Sequence, residues 1–381
     1  MQYHKLGKSD LSVSQFALGC MGFGKGSGSS VNDRSWTVGQ EAAAEVISRA
    51  INLGVNFFDT APAYQDGASE RILGAAVNKL TNRDKVLIAT KFATRTPEEI
   101  KNKVSGKEHV LNSLNQSLKN LETDYVDLYI YHIWDWLTPM EEIADGLAEA
   151  VKSGKVHYLG ISNAYAWQIA QMNDYMKEHN YPQFVSIQDH YNLIYREDER
   201  ELFTFAHENN LGLTPYSPLA SGRLAHPFGT QTIRRKQDLF SEKDKYGKTV
   251  NIDRPIIDEV EKIAQNHNTS MATIALAWLK TKVTTPIVGA TKAHHLDALE
   301  EAIKINLSKD EVHALEAPYK AHDLEGVMAD NRDREHNWTQ YLTNNAENSP
   351  IYFIYYFSST KMKLLEKGGL YYDRSSNNYI K

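Results

Sequence analysis

Short β-branched runs recur along this chain at the interval of a strand plus a helix, and that spacing restricts the fold more than any other feature. "VNFFD" starts at residue 55, "KVLIATK" at 85, "YVDLYIYH" at 125, "KVHYLGIS" at 155, "FVSIQ" at 184, "LGLTPY" at 211 and "TPIVG" at 285. Most successive starts lie about 27 to 40 residues apart, the length of one βα unit. Between them, Val46, Ile47, Ala50 and Ile51 recur at helical spacing before Gly54, and Leu111, Leu114, Leu118 and Leu121 do so further on. With "QFALG" at 15 as the first strand, the alternation reaches eight units. Eight units predict an α/β fold of the closed parallel (β/α)8 TIM-barrel type, with a doubly wound open sheet as the rival. The open sheet would need a phosphate loop after its first strand. "GCMGFGKGSGSS", from Gly19, is glycine-rich but never gives the spacing G-x-G-x-x-G, so it reads as a flexible loop. Residues 2–13, "QYHKLGKSDLSV", read as a hairpin turning at Gly7 to Asp10, a plug ahead of the barrel.

Composition sets outer bounds. At 41% hydrophobic and 24% charged residues the chain is of ordinary globular type, and no apolar run approaches the roughly 18 residues of a membrane span. A net charge of −6 without a basic stripe leaves no footprint for nucleic acid. The start "MQYHKLGKSD" is charged where a secretory peptide needs apolar residues, and Cys20 is the only cysteine, so the expected location is cytoplasmic. The oligomeric state is left open.

Two stretches break the alternation. From Ser217 to Asp253 the connection after the seventh strand is long and polar, which points to a functional lid. From 330 to 381 the chain turns Asn-, Ser- and Tyr-rich around "IYFIYYF", so residues 1–329 are expected to form the barrel and 330–381 a divergent, poorly ordered extension. Capping boxes are expected at Thr138 with Pro139 and Glu141, and at Ser308 with Glu311.

In such a barrel the chemistry gathers at the C-terminal ends of the strands. Strand two ends at Asp59 with Tyr64 just beyond, strand three at Lys91, and strand four at His132. Strand five ends at Ser162 and Asn163, strand six at Gln188, and strand seven at Tyr216 and Ser217. Each residue alone has an ordinary structural explanation, but packing gives no reason to collect an acid, an amine, a phenol and an imidazole on one rim. A buried carboxylate at Asp59 needs a cation, and Lys91 is the candidate. An ammonium beside the Tyr64 phenol would stabilise phenolate and draw its pKa down from about 10. His132 could then donate a hydrogen bond to the oxygen that Tyr64 protonates. This set suits carbonyl protonation as a hydride reaches carbon, and the hydride must come from a cofactor.

"NFFDTAPAY", "IATK", "DLYIYH", "GISN", "QDHYNLIYRE", "YSPLASGRL" and "PIVGATKAHHL" together resemble the aldo-keto reductases, in particular their bacterial and fungal aryl-alcohol-dehydrogenase-like branch. The resemblance runs to "LEAPY" at 315–319. It implies a reductase of aldehydes or ketones that uses NADPH without a Rossmann domain, with a catalytic tetrad of Asp59, Tyr64, Lys91 and His132. It also implies that Ser162, Asn163 and Gln188 hold the nicotinamide carboxamide, that Tyr216 stacks on the ring, and that Ser217, Leu219, Ser221, Gly222 and Arg223 run along the pyrophosphate. Gly22, Gly289, Thr291, Lys292 and His295 fall at the remaining cofactor positions. At the adenosine end the sequence departs from its relatives: His295 stands at the position of a usual glutamine, and Ala298 and Leu299 replace an acid–asparagine pair. The choice of NADP over NAD would rest on Lys292, helped by His295 and Arg223. Two other functions fit the same residues, a cofactor-binding regulatory module with slow chemistry and an enzyme of phosphorylated or acidic metabolites. The second leans on Arg196 and on Arg223 near the mouth, although pairing of Arg196 with Glu199 or the neighbours of Arg200 along a helix is the stronger reading of that residue. Trp134, Trp136 and Tyr195 could wall an apolar substrate pocket.

Overall fold

A computed structural model of the protein describes residues 1–25, 36–238 and 245–331, together with four short strands between 355 and 380. The chain divides into two compact units, Met1–Asn331 and Arg332–Lys381.

The first unit opens with the expected hairpin. Strands β1 (Tyr3–Lys5) and β2 (Ser12–Ser14) pair antiparallel, Tyr3 opposite Ser14. Gly7 in its turn has φ +56, and a Cβ there would stand 2.3 Å from the carbonyl oxygen of Val185, so only glycine fits. Leu6, Leu11 and Val13 from the hairpin are buried with Phe57, Ala89, Leu128, Ile130 and Val185, which fills the barrel floor.

Eight parallel strands follow: β3 (Ala17–Gly19), β4 (Phe57–Asp59), β5 (Leu87–Phe92), β6 (Val126–Tyr131), β7 (Val156–Ser162), β8 (Phe184–Gln188), β9 (Gly212–Leu213) and β10 (Ile287–Gly289). From β3 to β9 each pairs with the next, and β10 pairs with β3, Ile287 opposite Ala17. Between β9 and β10 the backbone N–H of Thr284 donates to Leu213 O at 3.0 Å and that of Ile287 to Pro215 O at 2.9 Å. These bonds close the (β/α)8 barrel.

Amphipathic helices cover the outside as the periodicity predicts. Val46, Ile47 and Ala50 are buried in the helix Gln40–Asn52, and Leu114, Leu118 and Leu121 in Gly106–Leu121, all in one apolar layer against the strands. A second cluster, centred on Tyr191 and Trp278, packs beneath the helices Val250–Asn266 and Met271–Leu279. Among the described residues no helix is long and apolar enough to cross a membrane.

The structure corrects two local expectations. The seventh strand was expected over 211–216, but its ladder is only Gly212–Leu213. Beyond it the N–H groups of Thr214 and Tyr216 still donate to Ile187 O at 2.9 Å and Asp189 O at 3.0 Å, but Pro215 offers no N–H on the β10 side and the pairing with β8 continues only as a single bridge between Tyr216 and His190. The capping box at Thr138 does not form, because its hydroxyl donates to Asp135 and accepts from Arg95 Nε at 2.7 Å. Pro139 therefore takes the cap position of Met140–Lys152 without a side-chain bond. The box at Ser308 and Glu311 is present.

Of the lid, residues 239–244 lie outside the described set, as do residues 26–35 of the glycine-rich loop. Where the second unit is described it consists of two antiparallel hairpins. Strands β11 (Tyr355–Ser358) and β12 (Lys361–Leu364) form one, and β13 (Tyr371–Asp373) and β14 (Asn378–Ile380) the other. The expectation of poor order between 330 and 381 falls otherwise on residues outside the described set.

Candidate active site

Asp59 ends β4 and points into the barrel mouth with its side chain 4% exposed. One carboxylate oxygen lies 2.6 Å from Lys91 Nζ, and the other accepts from Gln188 Nε2 at 2.9 Å. Lys91, on the neighbouring β5, is fully buried and spends all three ammonium protons, on Asp59, on Thr60 O at 2.7 Å and on the Tyr64 hydroxyl at 3.3 Å. Burial alone would lower the pKa of this lysine; Asp59 and then Tyr64 outweigh it and hold the group above its ordinary value, as ammonium.

Tyr64 is placed by backbone geometry. The loop after β4 turns through Tyr64 N to Ala61 O at 3.1 Å, then runs through Gln65, Asp66 and Gly67 at positive φ before the helix Ala68–Leu80 begins. Non-glycine residues in that region store strain, which is common at functional sites. The Tyr64 ring meets that of His132 edge-on, centroids 6.2 Å apart. His132 follows β6, and burial and then Lys91 press its pKa down to about 3, so the imidazole is neutral. The four expected catalytic residues stand together.

A second polar group adjoins them. Ser162 Oγ donates to Gln188 O at 2.6 Å, and Asn163 Nδ2 donates to Ser162 Oγ at 2.8 Å and His132 O at 3.0 Å. Asn163 Oδ1 accepts from the Tyr216 hydroxyl at 2.8 Å. Asn163 sits at φ +52, with its backbone N–H bonded to the buried Asp189 carboxylate. Burial raises the pKa of Asp189 against the opposing bonds from Asn163 and Ala164.

The Tyr216 ring is braced from behind. His190 lies parallel to it at 5.5 Å and stacks on Tyr195 at 4.1 Å. His190 Nε2 meets the Tyr246 hydroxyl at 2.7 Å, and Lys245 Nζ stands 4.5 Å over the Tyr216 ring. Tyr195 is 1% exposed and therefore backs this platform instead of walling a substrate pocket. Trp134 and Trp136 do form an aromatic cluster beyond His132, joined by Trp167, with ring centroids 6.0 to 6.4 Å apart.

The segment after Tyr216 runs through Ser217, Ala220, Ser221 and Gly222, all at positive φ, into the buried Arg223. It borders a cavity of about 230 Å³ lined by Gly222, Arg223, His226, Arg235 and Asp253. Leu219 is half-buried at the start of that turn. At the far end, Gly22 packs against Thr291 and Trp36, where a Cβ would stand 3.0 Å from Thr291 Cγ2. Lys292 and His295 are exposed beyond the exposed Gly289. Partial desolvation and then His294, Lys292, Arg234 and His226 hold His295 below its ordinary pKa, which marks a convergence of positive groups from two loops. Arg234 lies 3.7 Å over the Trp36 ring. Arg196 pairs with Glu199 at 2.9 and 2.7 Å and with Glu316, the local explanation anticipated from sequence.

Reading strand ends missed Asp189, His190, Lys245, Tyr246 and Asn331. The first two follow Gln188 directly in "QDHYN", and the next two lie within the lid segment, so proximity in the chain was a usable signal for them. Asn331 offered none. Its amide donates to Asn163 O at 2.9 Å across 168 residues of sequence.

The sequence profile of the Aldo/keto reductase family matches residues 16–320. The versiconal hemiacetal acetate reductase of Aspergillus parasiticus is 33% identical over 339 residues, covering 84% of this chain and 97% of its own. A Schizosaccharomyces pombe protein assigned as an aryl-alcohol dehydrogenase is 32% identical, with 86% and 98% covered. Norsolorinic acid reductase B of Aspergillus parasiticus is 32% identical, with 82% of each chain covered.

Proposed function

The chain belongs to the aldo/keto reductase family, and on that premise we propose that it reduces an aldehyde or ketone to an alcohol with NADPH, Tyr64 acting as general acid. One observation carries the reading: a buried ammonium whose three bonds reach a carboxylate, a backbone carbonyl and a single phenol. When bound, the reduced nicotinamide supplies a hydride to the carbonyl carbon. Tyr64 gives its proton to the carbonyl oxygen, and the Lys91 ammonium stabilises the negative charge left on the phenol. Asp59 and Thr60 O fix that ammonium in place. His132, being neutral, serves as a hydrogen-bond donor to the same oxygen and not as the acid.

The residues present fit the cofactor. Tyr216 offers a flat face braced by His190, and Ser162, Asn163 and Gln188 form a polar edge beside it. The turn from Ser217 to Gly222, with Ser217, Ala220, Ser221 and Gly222 at positive φ, leads to the cavity beside Gly222 and Arg223, a concavity suited to phosphate oxygens. The exposed Lys292, with Arg234 nearby, supplies positive charge for a 2′-phosphate, and the His295 imidazole, held below its ordinary pKa, adds a neutral ring N–H donor; together they favour NADPH over NADH.

For the substrate we favour an aryl carbonyl compound. The three indoles beyond His132 make an apolar wall, and one relative is assigned to aryl alcohols. The acidic-metabolite alternative has lost its main support, since Arg196 is engaged by two glutamates. The test is NADPH carrying deuterium at the transferable C4 position, incubated with aromatic aldehydes. Deuterium on the carbinol carbon of the product supports the reading. Absence of both alcohol and NADPH consumption across the panel sinks it.

A further inference from the structure

Asn331 lies outside the stretch matched by the family profile, which ends at residue 320, yet it is 4% exposed and its side chain is fully used. Its Nδ2 donates to Asn163 O at 2.9 Å and to Gln168 Oε1 at 3.0 Å, while its Oδ1 accepts from Trp136 Nε1 at 3.1 Å. The segment leading to it is pinned to the barrel mouth. His322 N donates to Glu197 Oε1 at 3.0 Å, and Met328 is 5% exposed.

Two of the three partners of this amide, Asn163 and Trp136, belong to working loops. Asn163 holds a positive φ, and its side chain bonds His132 O, Ser162 Oγ and the Tyr216 hydroxyl. Its backbone is gripped on the N–H side by Asp189 and on the carbonyl side by Asn331. Trp136 sits on the loop that begins at His132 and forms part of the indole cluster. One buried amide therefore ties the loop after β6 to the loop after β7. A strained backbone persists only where its surroundings over-determine it, and Asn331 supplies the outer half of that constraint.

We propose that Asn331 is a positioning residue for hydride transfer: it locks Asn163 in the conformation that presents its side chain to the nicotinamide, and it fixes Trp136 as a wall for the substrate. The inference rests on the carbonyl-reductase reading. It makes the chain beyond the family region part of the working site.

The experiment compares wild type with Asn331→Asp, Asn331→Ala and Trp136→Phe. Asn331→Asp keeps the acceptor for Trp136 and loses both donors. Asn331→Ala removes both roles, leaves room for water, and serves if the charged variant does not fold. Dinucleotide affinity is read by tryptophan fluorescence, steady-state constants with an aromatic aldehyde, and the primary deuterium isotope effect on kcat/KM with C4-deuterated NADPH. Loss of the bond to Asn163 should weaken NADP⁺ and NADPH binding about 10-fold, the upper end for one such hydrogen bond. The isotope effect should grow, because a misplaced ring makes hydride transfer more rate-limiting. Trp136→Phe should instead raise KM for the aldehyde and leave dinucleotide affinity within about 2-fold, a split that general loosening does not produce. Wild-type affinity and isotope effect in both Asn331 variants overturn the inference alone. A wild-type chain that binds no dinucleotide overturns the reading beneath it as well.

Discussion

Breaking the ion pair at the centre of the site should destabilise the fold as strongly as it harms catalysis. Lys91→Met keeps much of the side-chain volume and removes three donors at once. Asp59, with its side chain 4% exposed, is then left with Gln188 Nε2 as its one remaining side-chain donor among the described residues. Orphaning one member of a buried pair costs about 3–5 kcal/mol, a large share of the roughly 5–15 kcal/mol of stability typical of a domain. Asp59→Asn leaves the ammonium buried without its counter-ion and should cost a similar amount. If the two losses were independent, the double variant would lose about 6–10 kcal/mol, twice the single cost. Because neither charge remains to be orphaned, the double variant should lose no more than a single one, giving a coupling of about 3 kcal/mol or more. Urea denaturation followed by far-UV circular dichroism at pH 7 measures all four corners of the cycle. Carbonyl reduction should be severely reduced in all three variants, which separates the stability coupling from the chemistry. Additivity within about 0.5 kcal/mol would refute the account of Asp59 and Lys91 as one mutually dependent unit.

Other expectations can be checked in parallel. His132 is neutral in the fold with its pKa at about 3, against 6.5 when unfolded, so its contribution to stability is present above pH 6.5 and is lost as pH falls toward 3. At pH 5 that loss is at most about 2 kcal/mol at ~1.4 kcal/mol per pH unit, and thermal melts across pH 4–7 should show His132→Gln with a flatter dependence than wild type. Lys292→Ala should raise KM for NADPH about 5-fold, since an exposed charge contact contributes on the order of 1 kcal/mol, and should barely change KM for NADH; equal changes would remove Lys292 from the phosphate site. A chain ended after Asn331 should keep its melting temperature and dinucleotide affinity, whereas one ended after Asp330 should bind the dinucleotide more weakly. Equal affinity in the two truncations would mean that Asn331 positions nothing.

The barrel and its rim were legible because both follow from local pattern. Buried parallel strands must be apolar, helices must alternate with them, and polar residues ending apolar runs identify the rim, which located Asp59, Lys91, His132 and Asn163. Where the sequence reading failed, a competing interaction decided. The Thr138 hydroxyl satisfied Asp135 and Arg95 in preference to a helix N-terminus. Pro215 left the seventh strand without an N–H on its β10 side, and its regular ladder stops at Leu213. Tyr195, an aromatic residue near a strand end, went behind His190 instead of into the mouth, because a parallel ring was available to stack on. Asn331 was invisible for another reason. A single amide that closes a contact across 168 residues leaves no periodicity.

The central claim is that Tyr64 donates the proton, and its most direct test is Tyr64→Phe, which keeps the ring beside His132 and removes only the hydroxyl. NADPH consumption with an aromatic aldehyde should be followed at 340 nm while dinucleotide affinity is measured on the same preparation. The account predicts a fall in kcat of about 10²- to 10⁴-fold, the usual span for a lost general acid, with dinucleotide affinity unchanged. Reduction by Tyr64→Phe at a rate near that of wild type would contradict it.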